Sequence, residues 1–207
     1  MKRSYSNLYG AIILAAGKGE RFQGKKQDIE FHGKPIWRYA YDLSRQIIPE
    51  NYIVIVGRDI KGGTYRSESV INGLRALPSD TKRVIILEAA RPLVTLEQIS
   101  ILLNNDHASV SFVMPLVNTV VKRDGTYLNR DELYELLTPQ AFDYKLLKEA
   151  YLNGKFTDMT DETRVMYEYH GIKPFFIETG QNLFKLTYKR DIPILESIYQ
   201  MQRMMSK

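Results

Sequence analysis

The stretch Ile12–Gln27 reads Ile-Ile-Leu-Ala-Ala-Gly-Lys-Gly-Glu-Arg-Phe-Gln-Gly-Lys-Lys-Gln. The apolar run Ala11–Leu14 that leads into it suits the buried first strand of a parallel sheet, whose strands are covered on both faces. Ala15, Ala16, Gly17 and Gly19 follow at once, interleaved with the cations Lys18, Arg21, Lys25 and Lys26. Residues without bulky side chains let backbone N–H groups come close to a polyanion, and cations neutralise its charge. The segment therefore predicts a cradle for a nucleoside triphosphate at a strand end. A solvated basic turn after an ordinary strand is the plain alternative.

Two better-known phosphate loops do not fit. No Walker string G-x-x-x-x-G-K-[ST] occurs. A dinucleotide fingerprint needs G-x-G-x-x-G, but Gly17 and Gly19 are followed by Phe22, and Gly24 comes two places late. A nicotinamide oxidoreductase is thus the remotest reading. The whole string Leu-Ala-Ala-Gly-x-Gly-x-Arg, with Lys26 five residues on, resembles the signature loop of nucleotidyltransferases that activate sugar and polyol phosphates.

Working outward, strand-like runs recur at Tyr52–Val56, Arg83–Leu87, Ser109–Met114 and Phe175–Glu178. Helical patterns fall between or after them, from Pro35 through Leu43, then at Ser67–Leu77, Leu96–Asn104, Tyr144–Tyr151, Thr160–Tyr169 and Ile192–Met204. This alternation predicts one α/β domain over residues 1–207, a doubly wound, mostly parallel sheet. Residues 116–130 break the rhythm: Val117–Lys122 and Thr126–Asn129 flank Asp124-Gly125, a hairpin signal. Such a ribbon cannot bury both faces alone, so it is expected to project as an arm and pack on another subunit.

The 207 residues, 44% apolar and 26% charged, suit one globular domain with a real core. No run approaches a membrane span of roughly 18 apolar residues. The start, Met-Lys-Arg-Ser-Tyr-Ser-Asn, lacks the apolar core of a secretory signal. The absence of cysteine excludes disulfides and thiolate metal sites and suits a cytoplasmic protein. The net charge of +5 is spread among acids, with no long basic block, which favours anionic metabolites over nucleic acid.

Further candidates lie at the other loops. Gly62-Gly63-Thr64 runs into a helical pattern that Ser67 or Ser69 could cap, leaving amides for an anion or the edge of a base. Glu88 ends the third strand-like run, where open α/β sheets place ligands. It reads either as a surface acid paired with Arg91 or as a Mg²⁺ ligand. Thr160-Asp161-Glu162 reads as a helix cap. Lys185 is an isolated cation in apolar surroundings, costly unless it faces a ligand. His32, His107 and His170 have no spacing that suggests a metal site or triad, and belong on loops or surface.

Taken in order, Leu14–Gln27, Gly62–Leu74, Ala89-Ala90-Arg91-Pro92, Leu137-Thr138-Pro139-Gln140, Thr160-Asp161-Glu162 and Asn182–Thr187 resemble the 2-C-methyl-D-erythritol 4-phosphate and ribitol-5-phosphate cytidylyltransferases. The likeness runs from about residue 10 to 195. It implies a Rossmann-like nucleotidyltransferase fold with a projecting hairpin arm, a homodimer, and transfer of a cytidylyl group from CTP to a polyol phosphate with Mg²⁺. The resemblance implies catalytic roles for Arg21, Lys26 and Lys185 on the phosphates. It assigns nucleotide contacts to Leu14, Ala15, Ala16, Gly17, Lys18, Gly19, Gly63, Thr64 and Ser69. Acceptor contacts fall to Glu88, Arg91, Thr119, Arg130 and Thr160, with Glu88 also the metal ligand; Thr119 and Arg130 would reach into the neighbouring subunit.

Four departures accompany it. Glu88 replaces the family's Asp, Thr64 replaces the acid facing the base, and Gln181 stands where an acid is frequent. Only Arg58–Gly62 separates Gly57 from Gly63, where the family fits a helix and a strand. These departures lead to the expectation of a divergent relative that activates a precursor of a cell-surface polymer. The alternatives are the methylerythritol-phosphate enzyme itself and a relative that binds nucleotide without catalysis.

Overall fold

In the computed structural model, residues 9–179 and 183–205 are described. Gln181, Asn182 and the N-terminal stretch Met1–Asn7 lie outside the described residues. In chain order come β1 (Tyr9–Leu14), the small hairpin β2 (Glu30–Phe31) and β3 (Lys34–Pro35), α1 (Trp37–Ser44), β4 (Ile53–Val56), α2 (Arg66–Ala76), β5 (Arg83–Glu88) and α3 (Leu96–Leu103). Then follow β6 (Ser109–Pro115), β7 (Val120–Val121), β8 (Tyr127–Leu128), β9 (Tyr134–Asp143), α4 (Tyr144–Asn153), α5 (Glu162–His170), β10 (Phe175–Glu178) and α6 (Ile192–Met205).

Six strands make one sheet in the order β10-β6-β9-β5-β1-β4. All neighbours run parallel except β9, which is antiparallel to both β5 and β6. The strand period of two sorts the core between the faces. Ala11, Ile13, Ile85 and Leu87 pack towards α1 and α3, while Ile12, Val54, Val84 and Ile86 pack towards α2, α4 and α5. Both faces of β1 are therefore covered, which is why its apolar run is continuous rather than alternating. β1 lies between β4 and β5, so the chain leaves it in one direction and returns to its other side. That reversal opens a crevice at the carboxyl ends of the strands.

The expected fold is present; β9 in the main sheet and the small β2–β3 hairpin are strands that the sequence pattern does not predict, and Pro35 ends β3 instead of opening the helix, which starts at Trp37. For β9 the reason is local. Its centre carries Pro139, which cannot donate to a ladder and argues against an inner strand. The sheet absorbs it with an irregularity: Ser111 pairs with Gln140 and Phe112 with Leu137, so Thr138 and Pro139 are skipped. The cap of α2 also differs from expectation. Ser67 Oγ donates to Thr157 O, and the Glu68 carboxylate instead accepts from the N–H groups of Thr64 and Tyr65. Asp161 caps α5 by accepting from Thr163 N, as the Thr160-Asp161-Glu162 pattern suggests. His170 sits in the last turn of α5 rather than on a loop.

Within residues 116–130 the chain forms the short antiparallel ribbon β7–β8, turned at Gly125 with φ of +90°. Val117 and Tyr127 are 78% and 77% exposed, so among the described residues nothing covers the ribbon at these positions.

Gly73 shows how closely α2 rides on β1. A Cβ there would stand 2.7 Å from Cγ2 of the fully buried Ile12. Gly73→Ala gains helix propensity, yet overpacking at a β-branched neighbour that cannot swing away dominates. The expected result is a net loss of about 1–2 kcal/mol in urea unfolding; a stability gain would show that α2 is free to shift.

Candidate active site

The strand register brings three loops to one edge. Leu14 lies opposite Val56 on one side and Glu88 on the other, so the segments after β1, β4 and β5 leave the sheet side by side. They enclose a cavity of about 450 Å³. The glycine loop forms one wall, from Leu14 through Ala15, Ala16, Gly17, Lys18 and Gly19 to Arg21 and Lys26. Gly63, Thr64 and Ser69 form a second, and Glu88 with Lys185 closes the far end.

The loop is built to hold its shape. Gly19 has φ of +68°, and a Cβ there would fall 1.8 Å from Gly24 O. Only glycine fits this close crossing. Gln27, nearly buried, donates from Nε2 to Gly17 O across 3.1 Å. Phe22 anchors the loop from beneath in a small cluster with Phe31, Ile36, Leu93, Leu186 and Leu195. α6 and the β2–β3 hairpin thus serve as the loop's foundation.

Lys26 donates from Nζ to Leu186 O at 2.7 Å. Burial, with Lys185 and Arg21 nearby, lowers its pKa from 10.5 to about 8, against the opposing pull of Glu88 and Asp191. A cation strained in this way gains most when an anion arrives. Gly63 N donates to Ser69 Oγ at 3.0 Å, which fixes the glycine pair against α2.

Glu88 is the centre of the charge network. Burial raises its carboxyl, but Lys185 and Arg66 outweigh burial and hold it below the usual carboxylate range. Its Oε2 pairs with Lys185 Nζ, and Arg66 Nε stands 3.5 Å from Oε1. Lys185 is therefore not isolated, and Glu88 takes Lys185 and Arg66 as its ion-pair partners rather than Arg91. Arg91 is buried behind this wall, donating to Thr138 Oγ1 at 2.8 Å and to Leu183 O. Thr119, Arg130 and Thr160 are exposed and do not line the cavity, and Arg130 donates to Val117 O within the arm.

Three residues of the network were given no role from sequence. Glu162 is fully buried, accepts two bonds from the Arg66 guanidinium at 2.5 and 2.8 Å, and takes a third at 2.9 Å from Tyr151 OH. Burial, then Glu162, pushes the Tyr151 hydroxyl pKa well up. Arg66 and Glu162 do lie inside the motifs noted above, which is the one signal that could have found them.

Shortening between Gly57 and Gly63 leaves β4 at the sheet edge. The edge is blunted locally: Asp59 Oδ2 accepts from Ile55 N, and Val56 bridges to Ile60. A second groove of about 640 Å³ opens on that side, behind the glycine loop.

Comparison with known proteins agrees with this geometry. The sequence model of the family described as 2-C-methyl-D-erythritol 4-phosphate cytidylyltransferase matches residues 38–201. The protein of that name from Thermotoga neapolitana is 31% identical over 215 residues, covering 91% of this chain and 95% of its own. That from Halalkalibacterium halodurans is 32% identical over 222 residues, covering 92% and 96%. Among solved structures, the bifunctional IspDF of Campylobacter jejuni superposes with a TM-score of 0.78 at 27% identity over 89% of this chain. This chain spans 53% of that protein's length. The 4-diphosphocytidyl-2C-methyl-D-erythritol synthase of Anaerococcus prevotii has the same fold, with a TM-score of 0.77 at 24% identity, over 94% of this chain and 97% of its own. These relatives bear the name of the methylerythritol-phosphate enzyme, not of an enzyme for the cell-surface precursor expected from the departures.

Proposed function

We propose that this chain, which belongs to the 2-C-methyl-D-erythritol 4-phosphate cytidylyltransferase family, joins CTP to 2-C-methyl-D-erythritol 4-phosphate and releases pyrophosphate. That it is a cytidylyltransferase follows from the family; the acceptor is the proposal. The observation that carries it is the cavity joining the glycine loop, with Lys26, to the Glu88–Lys185 end.

The acceptor's phosphate oxygen is already anionic, so no side-chain nucleophile is needed. It attacks the α-phosphorus of CTP, the bond from that phosphorus to the bridging oxygen breaks, and pyrophosphate departs. The protein's work is alignment and charge neutralisation. Loop amides and Arg21 hold the triphosphate, Lys26 faces the departing end, and Lys185 faces the reacting phosphate. Ser69 and the Gly63–Thr64 backbone stand at the base.

A magnesium ion suits the donor set. Among the described residues no three acidic, His or Cys side chains gather. One carboxylate from Glu88, with phosphate oxygens and water, is nevertheless a shell that Mg²⁺ accepts. When bound, the ion would neutralise phosphate oxygens.

The setting of this reading is a cytoplasmic homodimer, which the lack of cysteine suits; no helix among the described residues is long and apolar enough to cross a membrane. The arm, bare at Val117, Val121 and Tyr127, pairs two copies and brings Thr119 and Arg130 to the partner's acceptor site. Val117→Asp with Tyr127→Asp is expected to give monomers in sedimentation and to cut turnover by about tenfold or more. A monomeric wild type would overturn the arm's role.

The deciding assay measures pyrophosphate release with CTP and Mg²⁺. Release is expected with methylerythritol phosphate, at a rate about a hundredfold above that with ribitol 5-phosphate. Equal or reversed rates would refute the acceptor, and no release with either would refute catalysis.

A further inference from the structure

We propose that Arg66, locked by Glu162 and Tyr151, is the positioning residue that orients the Glu88 carboxylate, and through it Lys185, at the reacting end of the cavity. The inference rests on the functional reading above.

The argument begins with Glu162. It is the first residue of α5, its side chain is fully buried, and a buried carboxylate must be paired and hydrogen-bonded. Its Oε1 and Oε2 grip the two terminal nitrogens of Arg66, the first residue of α2. Tyr151 in α4 donates to Oε1 at 2.9 Å. A fork-to-fork pair fixes the guanidinium plane as well as its charge. Once that plane is fixed, Nε is the one guanidinium nitrogen outside the fork, and its N–H lies on the side of Glu88.

Arg66 Nε stands 3.5 Å from Glu88 Oε1, is shut off from water and has no hydrogen-bond partner among the described residues. A group in that state costs free energy unless something makes use of it. An ion pair serving only to tie α2 to α5 would leave no reason for the guanidinium to line the cavity with Nε turned towards Glu88. α2 is in any case also tied to the segment leading into α5, by Ser67 Oγ donating to Thr157 O. Glu88 therefore sits between two cations of different kinds. Arg66 is held from behind by Glu162 of α5, which Tyr151 of α4 bonds in turn, and Lys185 is a flexible point charge on the cavity side. The rigid partner sets where the carboxylate points, and the mobile one follows it.

Two readouts test this. In steady-state kinetics at temperatures where each variant is fully folded, Glu162→Gln is expected to lower kcat about 10- to 100-fold while the KM for CTP changes less than about threefold. Arg66→Lys keeps the charge but cannot form the fork, so it is expected to fall as far. Tyr151→Phe, which removes one bond and keeps the packing, is expected to lose about threefold, and serves where Glu162→Gln does not fold. A kcat within about twofold of wild type in the folded variants, or full rescue by Arg66→Lys, would overturn the proposal.

The second readout needs no substrate. The Arg66 Nε–H resonance, assigned by its loss in Arg66→Lys, is expected to shift when Glu88 is replaced by Gln. An unmoved resonance would refute the contact. Wild-type protein that fails to turn over methylerythritol phosphate would count against the functional reading, and the resonance would still decide this one.

Discussion

Lys26→Ala is expected to lower kcat with CTP by about 10²- to 10³-fold, the cost typical of removing one preorganised donor from a charge-stabilising site. The fold is expected to survive, because Lys26 contributes a single bond to Leu186 O and its cation is held in a setting that disfavours charge. The proton linkage gives an independent check. Its folded-state pKa of about 8 lies below the ordinary lysine value of 10.5, so between those values the unfolded chain binds more protons. Stability from this group therefore rises as pH climbs through that window, and the protonated form carries a penalty below it. Lys26→Met is accordingly expected to be more stable than wild type at pH 7, on the order of 1 kcal/mol after solvent screening is allowed for. Near pH 10 the difference should close. Activity retained in Lys26→Ala, or destabilisation in Lys26→Met, would remove the loop cation from its assigned role.

Lys185→Ala is expected to cost a similar 10²- to 10³-fold in kcat and, unlike the change at Lys26, about 1–3 kcal/mol of stability. The difference lies in the partner. Removing Lys185 leaves the Glu88 carboxylate, largely shut off from solvent, with Arg66 alone. The sign of the pH dependence follows from Glu88's depressed folded pKa. Its contribution is full above the ordinary carboxylate pKa and is lost as pH falls through the folded value. The stability gap between Lys185→Ala and wild type should therefore be widest near neutrality and narrow in acid. A gap that widens in acid would mean that Glu88 is not the group Lys185 holds. Lys185→Arg is expected to preserve stability better than turnover, since a planar guanidinium cannot replace a compact ammonium at a reacting phosphate.

The glycine loop was readable because its requirements are local. A buried strand, small residues and clustered cations fall within sixteen successive positions, Ile12–Gln27. The second glycine pair and the strand-end Glu88 were readable for the same reason. β9 was not, because Pro139 contradicts an inner strand unless the neighbouring β6 yields, and that accommodation belongs to two segments at once. The role of Glu162 was equally hidden. Within its motif it follows a cap residue at the start of a helix, and nothing local reveals that Arg66, ninety-six positions away, lies against it.

The sequence by itself determined the alternation of strands and helices, the glycine-rich loop after β1, the tight turn at Asp124-Gly125 and the family, since each depends on residues near one another or on motif order. Only the tertiary structure decided that Glu88 faces Lys185 and Arg66 rather than Arg91, and that Arg91 is buried against Thr138 and Leu183. The physical reason is that charge pairing depends on distance and desolvation. Both are set when β1, β4 and β5 come into register and α2 and α5 close over them.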